Sequence, residues 1–590
     1  MIVQMKKVFV VAAASDRIAL LDRLAEIGVM HLMPVDPARA KPDEQTVNAK
    51  DAARRALQTL AAVIPAGQAP QISPAAAVTE TIELSRRSAE QANRLSMLHR
   101  QVEQLADWGD VRLEQFHALA AAGVPLRFFS IPRQLLGEVQ AELVQELADQ
   151  PGKRVLVAVV SRDAALQVPP GAIEVSLPAR DRPTIRAEAA TLDAAIKADA
   201  ARLGQLAHLS KPIAQYLARL EEEASFAVAD RGALVSDSLF AVQGWVPAQR
   251  VDAIAPTLAE LGIKAAVEAT DPDETDTPPT LLCPPRWARP ILGLMKVLGL
   301  SPGYRENDVS VAFMIALPLF AAMLFSDAGY GLLFVVLPLL LYRKAAAALG
   351  KHFTDLIIVI GGASVVWGVL TGSFFGMDLA VMIFHRPPPI AVSLKDEDMK
   401  FLMRLSFTIG VIHLSLAQLW RAVLLYPSLT YLCKVGWSIF LWGMYGAVLY
   451  FVLGGAINWQ TAYPYLLIAG GVLAIGFAAP SRNIFKTIAL GLANFPLSML
   501  GTFSDIMSYV RLMAVGLAGS ILAMSFNELA VGAGPILMVP ILIFGHGLNI
   551  GLCMIALFAH GVRLNVLEFS NNFGMEWSGH PYQPFERKTA

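Results

Sequence analysis

Two arginines, Arg511 and Arg563, stand inside the most apolar stretches of this chain. Charge within hydrocarbon is costly, so an arginine there is a functional candidate by default. Guanidinium keeps its proton at any ordinary pH, so neither side chain can turn neutral. Arg511 lies in Ser504-Asp505-Ile506-Met507-Ser508-Tyr509-Val510-Arg511-Leu512, and Arg563 in His560-Gly561-Val562-Arg563-Leu564-Asn565-Val566-Leu567-Glu568-Phe569. Helical spacing puts Gly501, Ser504, Ser508 and Arg511 on one stripe, and His546, Asn549, Cys553, Ala556, His560 and Arg563 on another. The second stripe runs for about 26 Å along a helix axis. Two polar faces, each with a fixed positive charge, describe an aqueous path interrupted by cations. Ser504, Ser508, His546, Asn549 and His560 are its expected lining. Ordinary structural roles stand beside this one. Ser in a span often bonds its own backbone, His often joins two helices, and Arg near a span end reaches for headgroups.

The elements that must hold these residues follow from composition. The chain has 590 residues, of which 55% are hydrophobic and 16% charged, an unusual balance for a soluble protein. Residues 1–280 are rich in charge, whereas residues 309–575 form apolar run after apolar run. A net charge of −1 gives no sign of a nucleic-acid partner. Cys283, Cys433 and Cys553 lie too far apart for a disulfide framework or a metal-ligand pattern. Gly350-Lys351 is followed by His352, so no phosphate-binding loop of the Walker type occurs, and neither a cofactor nor ATP hydrolysis by this chain is expected.

A helix needs about 20 apolar residues to cross the hydrocarbon. Candidate spans are 309–326, 328–342, 354–384, 402–425, 434–455, 462–479, 486–529 and 535–575, the first two being short enough to be one helix instead. With eight spans the clusters Arg343-Lys344-Lys351, Arg421 with Lys434, Arg482 with Lys486, and Arg587-Lys588 fall on one side, which predicts cytoplasmic termini. The loop at 385–401 mixes Arg386, Lys395 and Lys400 with three acids and fits less cleanly. The last two segments would each reach about 60 Å, twice the hydrocarbon thickness, so they must tilt or protrude.

The front half reads as α/β lobes and long helices. After Lys6-Lys7, Val8–Ala14 reads as a buried strand rather than a signal peptide, with Ser15 or Asp16 capping a helix that buries Ile18, Leu21, Leu24 and Ile27. Val29–Val35 is a second strand. Leu95, Leu98, Val102 and Leu105 give a coiled-coil seam within the helical stretch 45–120, matched by Ile196, Leu203, Leu206, Ile213 and Leu217 in a helix over 184–224. Between them Leu126–Ile131 and Val155–Val160 read as strands and 134–149 as a helix; Leu239–Gly244 and 248–262 repeat the strand-and-helix style. The predicted fold is mixed. A dumbbell of two α/β lobes joined by an antiparallel coiled coil (1–270) leads through an acidic, Pro-rich linker (271–308) to an all-α polytopic membrane domain of about eight helices (309–590), ending in two long tilted helices. The dumbbell pattern also fits a sensor domain with signalling helices.

At these residues the sequence resembles the membrane stator subunit of A/V-type rotary ATPases, called subunit a in vacuolar enzymes and subunit I in bacterial ones. Ser508-Tyr509-Val510-Arg511-Leu512 with Ala514-Val515-Gly516-Leu517-Ala518 is similar to that family's first essential-arginine motif, and His560-Gly561-Val562-Arg563-Leu564 with Glu568-Phe569 to its second. Phe325-Ser326-Asp327-Ala328-Gly329-Tyr330-Gly331, Gly372-Ser373-Phe374-Phe375-Gly376, Gly244-Trp245-Val246-Pro247 and Met5-Lys6-Lys7-Val8 extend the resemblance along the chain. It departs from vacuolar members at Gly519 and Cys553, where they carry a His and a Glu, and so looks like the bacterial branch, with Asp505, Glu568, His546 and His560 implied as the substitute groups lining the path. The resemblance implies a multi-pass subunit of the bacterial inner membrane whose N-terminal domain is cytoplasmic. Its implied partners are a ring of proteolipid rotor subunits, peripheral stalks and the central-stalk and ATPase sector, and its cargo is protons or Na+. Two half-channels would meet at Arg511 and Arg563. A secondary transporter or channel with a regulatory domain is the alternative, but it predicts inverted repeats among the spans, and the sequence shows no convincing self-similarity.

Overall fold

The computed structural model describes residues 1–161, 168–378, 385, 388–454, 459–478 and 484–587. Arg386, Arg482 and Lys588, used above to orient the spans, lie outside them. The chain divides into two compact units. One holds Met1–Val8, Trp245–Ala253 and Ala269–Pro584; the other holds Phe9–Gly244, Ile254–Glu268 and the residues from Phe585 onward.

The elements of the first 270 residues are β1 (Met5–Ala13), α1 (Arg17–Ile27), β2 (His31–Met33), α2 (Glu44–Ala61), α3 (Pro74–Gln104), α4 (Leu113–Ala121), β3 (Leu126–Pro132), β4 (Leu143–Gln150), β5 (Arg154–Val160), β6 (Ile173–Glu174), α5 (Arg182–Leu206), α6 (Ser210–Gly232), β7 (Leu234–Val235), β8 (Leu239–Pro247), α7 (Val251–Glu260) and β9 (Ala265–Thr270). Strands order as β2-β8-β1-β9 in one sheet, with β7 on β8, and as β4-β5-β3-β6 in the other. Along β1 the side chains of Met5, Val8, Val10 and Ala12 are buried, largely the period-two pattern of a strand with one face inward.

Two expectations fail here. Residues 134–149 form a short 3-10 turn, Arg133–Glu138, and then strand β4, which pairs antiparallel with β5. Pro151-Gly152 turns the chain straight back, with Gly152 and Lys153 both at positive φ, so β4 meets the open edge of β5. Pairing along that edge overrides the local helical pattern. Second, Ile18 is exposed, and α1 instead buries Leu20, Leu21, Leu24 and Ala25, with no side-chain cap from Ser15 or Asp16.

The Leu95–Leu105 stripe does pack, but its partners are Ile185, Ala189 and Leu192, whereas the expected Leu203, Leu206, Ile213 and Leu217 pack with α2 and the start of α3. Leu98 is buried against Ile185 and Ala189, with Leu95, Val102 and Leu105 around it. Charged rungs fix the direction of the pair: Glu80 meets Arg202, Arg87 meets Asp199 and Arg94 meets Glu188. Positions rise by sevens along α3 while they fall along α5, so the two helices run antiparallel. The helix expected over 184–224 is two helices, α5 and α6, joined by a 3-10 turn at Ala207–Leu209. Asp181 caps α5, accepting from the Thr184 amide at 2.8 Å, and also accepts from the Leu113 amide at 3.0 Å.

From residue 271 the elements are α8 (Ile291–Leu298), α9 (Ser310–Phe325), α10 (Ala328–Leu340), α11 (Tyr342–Leu349), α12 (Lys351–Thr371), a hairpin of β10 (Ser373–Phe374) and β11 (Met377–Asp378), α13 (Asp396–Leu425), α14 (Thr430–Leu453), α15 (Tyr463–Gly476), α16 (Ile484–Met507), α17 (Val510–Gly532) and α18 (Pro535–Ala556), which runs on in π-helical form through Leu557–Gly561 and Leu564–Phe569. Against the eight spans expected, five helices among the described residues are long and apolar enough to cross a membrane, or six if α10 and α11, bent by 93°, are one broken span. The apolar helices α9 and α15 are shorter, at 16 and 14 residues. α9 and α10 are separate, because Ser326 takes a left-handed conformation and Asp327 starts a new helix. α9 is apolar all round and buries twelve residues, including Phe313, Phe320 and Phe325, which makes it a core element rather than a lipid-facing one. α17 lies close against it, since a Cβ on Gly516 would stand 2.3 Å from the Met323 carbonyl. Helix packing within apolar surroundings depends on such small residues.

The Thr184 hydroxyl, then the Leu113 and Thr184 amides, hold the Asp181 carboxyl below the usual carboxylate range. A lowered value means the tie is present at neutral pH and is lost as pH falls through that value. Asp181→Ala should cost about 1 kcal/mol and speed amide hydrogen exchange at Leu113 and Thr184, read by mass spectrometry.

Candidate functional site

Arg511 and Arg563 come from different helices and meet at one carboxylate. Arg511 donates through Nη2 to Glu568 Oε1 at 3.0 Å, and Arg563 Nε stands 3.3 Å from the same oxygen. Glu568 is 4% exposed, whereas the side chains of Arg511 and Arg563 are 25% and 50% exposed. Glu568 Oε2 is buried and has no hydrogen-bond partner. One anion therefore serves two cations, and a buried charge requires such partners.

Both arginines sit where the helix geometry changes. α16 ends at Met507 and α17 begins at Val510, and the bonds between are tightened to three-residue steps: Tyr509 donates to Ile506 and Leu512 to Tyr509, each at 3.1 Å. The Ser508 carbonyl in this turn accepts from Arg511 Nε at 3.0 Å. The second arginine lies between two π-helical segments. In an α-helix residues five apart are about 140° apart around the axis. Widening toward five-residue steps brings them onto one face, which is how Arg563 reaches Glu568.

These changes of geometry alter the predicted stripes. Gly501, Ser504, Ser508 and Arg511 do not share one continuous helix. Ser504 is exposed, and Ser508 donates to the Ser504 carbonyl at 3.0 Å, the ordinary backbone bond of a helical serine. Asp505 is half-buried and accepts from Asn572 Nδ2 at 2.8 Å; that amide nitrogen also donates to the Glu568 carbonyl, and Gln418 of α13 donates to Asn572 Oδ1 at 2.9 Å. On the last helix, His546 and Asn549 converge on Tyr330. The Tyr330 hydroxyl is 2.8 Å from His546 Nδ1 and accepts from Asn549 Nδ2 at 3.0 Å. Asn549 also donates to the Gly519 carbonyl at 2.8 Å, and His546 Nε2 is 3.1 Å from Asn527 Oδ1. His560 Nδ1 is buried without a partner.

Sequence reasoning passed over Asn527, Gln418 and Asn572, and quoted Tyr330 and, above all, Asp327 only within a motif, without a role. The Asp327 carboxylate is buried and accepts five hydrogen bonds. The amides of Gly329 (2.8 Å) and Tyr330 (3.1 Å) give it the start of α10, and the Ser373 hydroxyl (2.7 Å) and the amides of Phe375 and Gly376 (2.9 Å each) tie in the hairpin. Two motifs quoted separately from the sequence are thus one knot. It orients Tyr330 toward His546, and Asn527 donates to the Phe375 carbonyl at 2.7 Å from the other side. An acid just before an apolar helix is the signal that could have found it. No group of three or more His, Cys, Asp or Glu able to hold a metal occurs among the described residues.

Two polar clusters therefore flank the arginines along the last helix. One is Tyr330, His546, Asn527 and Asn549; the other is Asp505, Asn572 and Gln418. No family model matches the chain, but curated relatives do. It is 29% identical, over the whole of both chains, to V-type ATP synthase subunit I 1 of Treponema pallidum. It is 32% identical over 371 residues to V-type ATP synthase subunit I of Borreliella burgdorferi. The chain is thus similar, over its whole length, to subunit I of a V-type ATP synthase, and over part of it to A-type subunit I. The Borreliella match covers 59% of this chain and 60% of that protein's length. An archaeal member, A-type ATP synthase subunit I of Archaeoglobus fulgidus, is 27% identical over 408 residues, 60% of this chain and 59% of its own. Among solved structures, the cytoplasmic N-terminal domain of a V-ATPase subunit I is 17% identical and covers 45% of this chain and all of its own, with a TM-score of 0.20.

Breaking a buried ion pair by removing one partner costs about 3–5 kcal/mol. Glu568→Gln should lower the thermal stability of the purified protein by several degrees. Adding Arg563→Gln should recover part of that loss, since fewer guanidiniums then lack a counter-ion. Thermal denaturation of the single and double variants measures the coupling.

Proposed function

We propose that this chain is the non-catalytic membrane stator of a rotary ATP synthase, and that Arg511 and Arg563 form the barrier between two ion half-channels. The observation that supports this most is the convergence of two guanidiniums on one buried carboxylate while each keeps an exposed edge. Shared neutralisation by Glu568 makes both charges tolerable inside apolar surroundings. The exposed edges leave them able to interact with something outside this chain. The helices that lead to them, α16 and α18, present exposed apolar side chains, among them Leu492, Leu497, Leu500, Ile543, Leu552 and Ile555. A rotor ring of small apolar helices, each bearing a mid-membrane carboxylate, is the partner that fits.

The working step is an exchange of partners. A ring carboxylate about 4 Å from Arg511 gains about 4 kcal/mol of attraction at an effective dielectric of about 20. That attraction favours its ionised form, and its proton leaves. Arg511 can turn from Glu568 to the incoming acid because Arg563 still neutralises Glu568 through the shared oxygen. Once the ring moves on, Arg511 returns to Glu568 and the ring acid takes up the next ion. A permanent cation between the two paths repels a proton attempting the direct route.

The two polar clusters are the half-channel linings in this reading. His546 and Asn549 serve one path, with Tyr330 and Asn527. Asp505 serves the other, with Asn572 and Gln418, and His560 and Glu568 lie next to the arginines. Ser504 and Ser508 keep only a peripheral part. The first 270 residues act as a cytoplasmic arm that docks peripheral stalks and resists torque from the central stalk and ATPase sector. The complex sits in the bacterial cell membrane and moves H+ or Na+.

Arg511→Ala should abolish ATP-driven ion uptake into proteoliposomes, while the ring and ATPase sector still copurify with the variant. Undiminished uptake by a correctly assembled variant would refute the role.

A further inference from the structure

Tyr509 stands two residues before Arg511, in the tightened turn between α16 and α17, and is completely buried. Its ring lies flat against Gly410 of α13, where any Cβ would stand 2.5 Å from a ring carbon. Its hydroxyl is 2.8 Å from Nδ1 of His413, one turn further along α13. The His413 ring is itself buried among aromatics. It stacks on Phe569, with centroids 4.7 Å apart and planes at 25°, and meets Phe320 edge-on at 5.1 Å. Its other nitrogen, Nε2, is buried and finds no hydrogen-bond partner.

That last detail bears on why a histidine is there. In either tautomer the ring satisfies one nitrogen and leaves the other unmatched, which is costly in an apolar site. Phenylalanine would stack on Phe569 without that cost. What the imidazole adds is its bond to Tyr509, and the consequence of that bond lies in the turn. The Ser508 carbonyl, which accepts from Arg511 Nε, belongs to the residue before Tyr509, and Leu512 donates to Tyr509's own carbonyl. With the Tyr509 ring held at both its face and its hydroxyl, the peptide units on either side of it are held too. The origin of the Arg511 side chain is then fixed. α13 also reaches the other arginine helix through Gln418 and Asn572, so one helix face serves as the common reference for both.

We infer that His413 is a positioning residue for Arg511, acting through the Tyr509 hydroxyl to set the turn from which the guanidinium is presented. This rests on the reading of Arg511 given above. Tyr509 is the connecting part, and Gly410 is small because the tyrosine ring must lie against the helix. Neither His413 nor Tyr509 carries the transported ion.

The test uses the assembled complex in proteoliposomes and reads ion uptake per ATP hydrolysed, for whichever ion the wild-type complex moves. Tyr509→Phe keeps the ring on Gly410 and His413→Phe keeps the stack on Phe569, so each removes only the bond between them. Each should lower coupled uptake about fivefold without loss of the copurifying ring, and the double variant should fall no further than either single one. His413→Gln, which keeps a polar group near the hydroxyl, should recover most of the loss, whereas a purely packing role would leave Tyr509→Phe silent. Wild-type coupling in Tyr509→Phe and His413→Phe, beside a dead Arg511→Ala, would overturn the positioning role alone. Wild-type coupling in Arg511→Ala would overturn the reading of Arg511 itself. Should His413→Phe fail to assemble, Tyr509→Phe and His413→Gln decide the matter.

Discussion

A guanidinium cannot shed its charge, and an apolar helix bundle cannot solvate one. The arrangement around Glu568 answers both constraints with a single carboxylate. Two arginines share one of its oxygens, so neither is fully neutralised and neither is fully buried. A strict one-to-one pair would lock each cation in place, and an unpaired cation would cost more than the bundle could offset. Sharing is the intermediate case. In the proposed exchange with a moving neighbour, sharing would let the site accept another anion without stranding a charge.

Backbone geometry follows from that demand. Regular α-helices would carry Arg511, Arg563 and Glu568 on faces fixed by the 3.6-residue turn, and Arg563 and Glu568 would point about 140° apart. One helix tightens before Arg511 and the other widens around Arg563. Such irregularities give up good helical hydrogen bonds and persist where the surroundings hold them in place. Here the holding elements are α9, buried on nearly all sides, and α13, whose inner face carries Gly410, His413 and Gln418. Asp327 does similar work for the polar cluster around Tyr330. Its five hydrogen bonds bind a helix start to a hairpin and so aim Tyr330 at His546.

Much of this was legible in the chain itself. Apolar runs located the helices, and the rarity of charge within them singled out Arg511 and Arg563. The 3–4 spacing of Leu95, Leu98, Val102 and Leu105 identified a packed seam, because helix periodicity is a local property. Local pattern misled where an edge or a break intervened. Residues 143–150 follow β5 rather than their own helical pattern, and the serine stripe before Arg511 dissolves at the turn after Met507. Length misled as well, since eight apolar segments include helices of only 14 and 16 residues.

The amino-acid order by itself therefore determined which residues carry charge in apolar surroundings and which segments are helical. Both are written in residue type and short-range spacing. Only the tertiary structure decided that both guanidiniums share Glu568, that Asp327 joins two distant motifs, and that a histidine almost a hundred positions away reaches Tyr509. Apart from Arg563 and Glu568, brought together by a local change of helical pitch, these are meetings between side chains far apart in the chain, at positions set by helix crossings. No periodicity within one segment encodes them.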